Sequence, residues 1–130
     1  MTTHPSSADR RARGRVSQAK GLGAETRACA ALARDGWTVL ARRLRTQAGE
    51  VDVVAEKDGL LAIIEVKARP TLTEAATALT PRQQARLLGA CDIILAAHPD
   101  WGARGVRFDL LMVDAAGRVR RITDAFRQEI

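Results

Sequence analysis

A chain of 130 residues, 46% apolar and 28% charged, has room for one packed core and little beyond it. Two Trp, two Phe and no Tyr leave too few aromatic faces for a base-stacking single-strand binder, so the core falls to Ala, Leu, Val and Ile. The net charge of +6 is unevenly placed: Arg10, Arg11, Arg13, Arg15 and Lys20 against Asp9 give the first twenty residues +4 of it, leaving the remainder nearly balanced.

Residues 1–17, rich in Ser, Thr, Arg and Gly and without periodicity, read as a basic disordered tail, and residues 18–130 as the single folded domain. A helix is expected from about Ser17 to Asp35, capped by Gly36. Its apolar stripe takes in Leu22, Ala28, Cys29 and Leu32, and Glu25 lies on that stripe. The helix dipole explains a glutamate in the first turns, but less well one that faces inward. Trp37 to Arg45 reads as the first strand, followed by a turn at Thr46-Gln47-Ala48-Gly49. Arg42, Arg43 and Arg45, like Arg118, Arg120 and Arg121, fit a solvated surface as well as a phosphate-contacting one.

The next stretch, Gly49 to Arg69, organises the chain. Two aliphatic runs flank Asp58-Gly59, a strong signal for a two-residue hairpin turn. With that turn Lys57 faces Leu60, Asp52 faces Glu65 and Glu50 faces Lys67, and the last four, Glu50, Asp52, Glu65 and Lys67, share one side of the sheet. Two carboxylates so opposed repel, and something cationic is expected between them. Apart from Glu65 and Lys67 the second strand is apolar on both faces, as a central strand is. Pro70 ends it, and residues 71–79 form a loop.

Thr80-Pro81-Arg82-Gln83 is a helix start with a Thr cap, Pro at the first helical position and Gln three after the cap. The helix runs to about His98 with Gln84, Leu87, Leu88, Cys91, Ile94 and Leu95 inward. Gly105 to Val113 is the fourth strand, and Arg118 to Ile122 a short fifth. His4 in the tail and His98 at the far helix end are not placed to act as general bases. Cys29 and Cys91 stand far apart, without metal-ligand spacing, and should be reduced, mostly buried thiols. No apolar run reaches membrane-spanning length and none near the start reads as a signal peptide, so a cytoplasmic protein without membrane contact is expected.

Asp52 followed by Glu65-Val66-Lys67 resembles the signature of the PD-(D/E)xK nuclease superfamily. Gly49-Glu50-Val51-Asp52, Glu65-Val66-Lys67, Arg107-Phe108-Asp109 and Ala125-Phe126, in that order, resemble more closely the YraN family of uncharacterised bacterial proteins, themselves similar to archaeal Holliday-junction resolvases. The resemblance implies an α/β, restriction-endonuclease-like three-layer sandwich with a mixed central sheet flanked by helices, order αβββαββ. It implies Mg²⁺ or Mn²⁺, ligated by Asp52, Glu65 and the Val66 carbonyl, with Glu25 joining from the first helix and Lys67 orienting the attacking water. Glu50 matches the family's acidic position, as metal ligand or as ion-pair partner of Lys67. Gln83 stands where the family usually carries a lysine, and can still hydrogen-bond a phosphate or a water. The expected nucleic-acid contacts are Gln83, Arg42, Arg43 and Arg69, with Gln84 a further candidate.

The function so implied is metal-dependent hydrolysis or binding of structured or branched DNA, with DNA favoured over RNA and a homodimer left open. Two alternatives fit the same residues. One is a non-catalytic nucleic-acid-binding module that keeps the site geometry; the other is a buried Asp-Glu-Lys ion-pair network with a structural role only.

Overall fold

Asp58 and Gly59, at φ 51° and 82°, make the expected two-residue turn, and from it the hairpin registers as Lys57↔Leu60 back to Val53↔Ile64. The computed structural model describes residues 23–71 and 79–127; the expected tail and most of the loop after Pro70 lie outside them. In chain order they hold helix α1 (residues 23–34), strands β1 (Thr38–Thr46), β2 (Gly49–Lys57) and β3 (Leu60–Ala68), helix α2 (Pro81–Ala97), and strands β4 (Gly105–Val113) and β5 (Val119–Phe126). The five strands form one sheet in the order β1-β2-β3-β4-β5. All neighbours are antiparallel except β3 and β4, which are parallel and therefore need the crossover that α2 supplies.

One sheet face carries Val53, Ala55, Ala62, Ile64 and Leu111, packed on Ala28 and Leu32 of α1 and on Trp37. The other carries Val51, Val54, Leu61 and Ile63, packed on Leu87, Ala90, Cys91 and Ile94 of α2. The result is the expected three-layer α/β sandwich with β3 in the middle of a mixed sheet. α2 begins with the capping box: the Thr80 hydroxyl accepts from the Gln83 N–H, and the Gln83 side chain accepts from the Thr80 N–H. Its buried stripe is narrower than expected, with Ala90 inside and Gln84, Leu88 and Leu95 at the margin.

Two departures from regularity shape the site. Val51 and Val53 are two apart on β2 yet pack on opposite faces, so the alternation slips at Asp52. On β1, Arg43 adopts φ 51°, which lets the consecutive Arg42 and Arg43 reach the same carboxylate. The β2–β3 ladder ends at Val53↔Ile64, whereas β3 stays paired with β4 as far as Ala68↔Val113. A fork therefore opens between β2 and β3, with Asp52 and Glu65 at its base.

β5 runs four residues past the expected end at Ile122. The polar Thr123-Asp124 pair looks like a strand terminus, but the ladder is irregular there. Asp109 accepts the Asp124 N–H at 2.9 Å, Asp124 takes φ 55°, and Phe126 stacks on Phe108 with ring centroids 4.7 Å apart.

Candidate functional site

The site is built at the fork. Asp52 is half-buried, and its Oδ2 accepts the Val66 N–H at 2.8 Å, filling the place of a ladder bond the diverging strands no longer make. Glu65, 5% exposed, projects from β3 toward α2, where its Oε2 meets the Arg86 guanidinium. The two acids lie close enough for each to feel the other's charge. Burial pushes the Glu65 carboxyl up to about 8; its hydrogen bond to Asp52 and the Asp52 charge push the same way, while Arg86 and Lys67 pull it back only in part. Asp52 forms no ion pair among the described residues.

Lys67, half-buried, makes no hydrogen bond or ion pair among the described residues, although its charge reaches Glu65. The cation seated on the acid pair is Arg86. The sequence signalled the need for one but not its source, because Arg86 comes from a distant helix and Lys67 was nearer in sequence. A local cue existed in Gly49: at φ 139°, a Cβ there would fall 2.5 Å from Arg86 Cγ and Cδ, so the glycine leaves the path by which that side chain reaches Glu65.

Glu25, also 5% exposed, faces inward from α1 as its place on the apolar stripe predicts. It shares a small cavity of about 120 Å³ with Arg43, Glu50, Asp52 and Val66. Arg42 and Arg43, expected to contact phosphate, are both turned onto it, with Nε 3.4 and 3.2 Å from its carboxylate oxygens. Glu25 thus approaches Asp52 from the α1 layer, whereas Glu65 lies beside it in the sheet and turns toward α2. No three His, Cys, Asp or Glu side chains among the described residues are gathered closely enough to hold a metal ion together. The fork offers the carboxyl groups of Asp52 and Glu65, oxygen donors of the kind Mg²⁺ and Mn²⁺ take, and Mg²⁺ is held by one or two carboxylates with several waters kept.

Four further residues expected at the site have places of their own. Glu50 pairs with Arg45 across β1 at 3.5 Å and not with Lys67, because the ladder that would oppose them has ended; that pair is open to solvent and weak. Gln83 is committed to the Thr80 cap, and Gln84 Nε2 donates to the Leu79 carbonyl at 3.1 Å. Arg69 lies by the carboxyl ends of β3 and β4, lining a cavity of about 460 Å³ with Arg27, Val113 and Asp114. Both cysteines are free thiols, and burial raises them, Cys91 to about 11, so neither is a nucleophile at neutral pH. No described helix is long and apolar enough to cross a membrane.

The raised Glu65 carboxyl sets a pH dependence. An acid with a folded pKa near 8 and an ordinary unfolded value contributes stability that is full below the unfolded pKa and falls as pH rises toward the folded one. Glu65→Gln, which mimics the protonated acid, should match wild type at about pH 5 and be the more stable of the two at about pH 8.5, in urea unfolding with a chelator present. A wild type that is the more stable at the higher pH would show that the Arg86 pair outweighs burial.

The family profile described as "Uncharacterised protein family UPF0102" matches residues 24–113, a span holding every site residue named above. A UPF0102 protein of Granulibacter bethesdensis is 62% identical over 115 residues, 88% of this chain and 73% of the relative. One from Rhodopseudomonas palustris is 49% identical over 82% of each chain, and one from Azorhizobium caulinodans 43% identical over 92% and 91%.

Proposed function

The chain belongs to the UPF0102 family, and from the geometry at the fork we propose that it is a metal-dependent phosphodiesterase that hydrolyses structured or branched DNA. The observation that carries this reading is the buried Glu65 pressed against an Asp52 that has no ion pair among the described residues. Two adjoining acids with so little counter-charge are costly to keep in a fold unless a cation completes them. A bound Mg²⁺ or Mn²⁺ would act there as a Lewis acid and lower the pKa of a water.

Asp52, Glu65 and the Val66 carbonyl would hold the ion, and the Val66 N–H fixes the Asp52 carboxylate for that task. Lys67 projects on the Glu65 side of the strand, its side chain without an ion pair among the described residues, free to orient a water and to balance charge on a phosphate. In this reading Glu25 would act less as the ligand the resemblance implies than through its arginine partners. It holds Arg42 and Arg43 beside the fork, where their partly exposed guanidinium groups can meet flanking phosphates. DNA is the substrate class that the resemblance favours.

The test is cleavage of branched, nicked and single-stranded DNA with Mg²⁺ or Mn²⁺, against Asp52→Asn and Lys67→Ala. Cleavage by wild type, lost in both variants, is the expected result. The tie of Glu25 to Arg42 and Arg43, with no third carboxylate gathered at the pair among the described residues, favours a second reading: a module that binds DNA without turnover. Binding of DNA and metal without cleavage of any substrate would select it.

A further inference from the structure

We propose that Arg86 is the exchangeable counter-cation of this site: it holds Glu65 while no divalent ion is bound, and passes to a DNA phosphate when one is. The inference rests on the metal-dependent reading above and assigns a substrate contact that the motifs do not mark.

Arg86 leaves α2 on the face that covers the sheet, and its stem crosses the β1–β2 turn over Gly49 before Nη2 reaches Glu65. The guanidinium is incompletely satisfied there. Its Nε is buried with no hydrogen-bond partner among the described residues, while the side chain as a whole is 33% exposed. Arg121 Nε is likewise buried without a hydrogen-bond partner among the described residues, but it lies over the Trp37 ring and is paired with Asp109, not with the acids at the fork. A guanidinium with an unfilled donor edge beside a carboxylate pair is suited to bidentate grip of a phosphate.

Competition follows from charge. A divalent ion on Glu65 and a guanidinium on the same carboxylate repel, so ion binding weakens the hold on Arg86 and frees its donors at the position a bound phosphate would approach. Arg86 would then raise the affinity for DNA only when the ion is present. Lys67 makes no ion pair among the described residues that it could exchange, and does not share this behaviour.

Calorimetric titration of the full chain with Mn²⁺ tests the proposal, using wild type, Arg86→Met and Arg86→Lys, each with and without a DNA duplex bearing phosphorothioate linkages. Met keeps an apolar stem over Gly49 and removes the charge. Arg86→Met should bind Mn²⁺ about tenfold more tightly than wild type in the absence of DNA. It should also lose most of the gain in Mn²⁺ affinity that DNA gives wild type. If Arg86→Met does not fold, Arg86→Lys decides by the second readout, since it keeps the charge but not the fork and should lose the gain from DNA. A folded Arg86→Met variant whose Mn²⁺ affinity is unchanged or weaker, or a deciding Lys variant that keeps the full gain, overturns the proposal. So does failure of both variants to fold with or without Mn²⁺, which would make Arg86 a structural anchor. A wild type that binds no Mn²⁺ refutes instead the metal-dependent reading on which the proposal stands.

Discussion

Asp109→Ala is expected to destabilise the protein by about 3–5 kcal/mol, among the largest effects of any single change in this fold. Asp109 is 1% exposed on β4. Its carboxylate accepts from Arg107 Nε at 2.8 Å and Nη2 at 2.9 Å, from Arg121 Nη2 at 3.0 Å, and from the Asp124 N–H. Both arginines also lie over the Trp37 ring, 5.5 and 4.5 Å from its centroid, so one carboxylate fixes two cations that close the core beneath α1. Removing it leaves two largely buried guanidinium groups without their counter-charge and a strand N–H without its acceptor. The loss should appear in urea unfolding as a lower midpoint. A change below about 1 kcal/mol would mean that the arginines find solvent instead, and that the cluster holds little of the fold together. The Arg-Phe-Asp stretch thus has a structural role in this chain. It ties β5 to β4 on the side of the sheet away from the fork.

What could be read from the sequence divides along physical lines. The Asp58-Gly59 turn and the Thr80 capping box are local: the residues that define each are within four positions of one another, and their backbone demands admit few alternatives. The inward placement of Glu25 followed from helical periodicity alone, and the central position of β3 from its apolar faces. The register of the hairpin held as far as Val53↔Ile64 and then failed for Asp52 and Glu65 as for Glu50 and Lys67, because simple alternation carries no sign of a fork. Nor does anything in residues 42–45 announce the positive φ of Arg43 on the neighbouring strand, an unusual state for arginine. Arg86 and Glu65 are 21 positions apart and brought together by the packing of α2, so only the unmet charge pointed to them. Arg42 and Arg43 were legible as cations near the site but not as partners of Glu25. Ion-pair choice among several surface arginines is settled by side-chain reach, which sequence spacing does not encode.

The most direct measurement of the central claim is urea unfolding of wild type and Asp52→Asn, each with a chelator and again with excess Mn²⁺. Since Asp52 pairs with no cation among the described residues, the Asn variant leaves none of them unpartnered, and its amide oxygen can still accept the Val66 N–H. It also removes one of the charges that press on Glu65. The account therefore predicts that metal-free Asp52→Asn is as stable as wild type or slightly more so. Mn²⁺ should stabilise wild type alone, by about 2.7 kcal/mol when the free ion is a hundredfold above its dissociation constant. If instead Asp52→Asn were several kcal/mol less stable in chelator and wild type indifferent to Mn²⁺, the acids would belong to a structural network and the metal-dependent reading would be wrong.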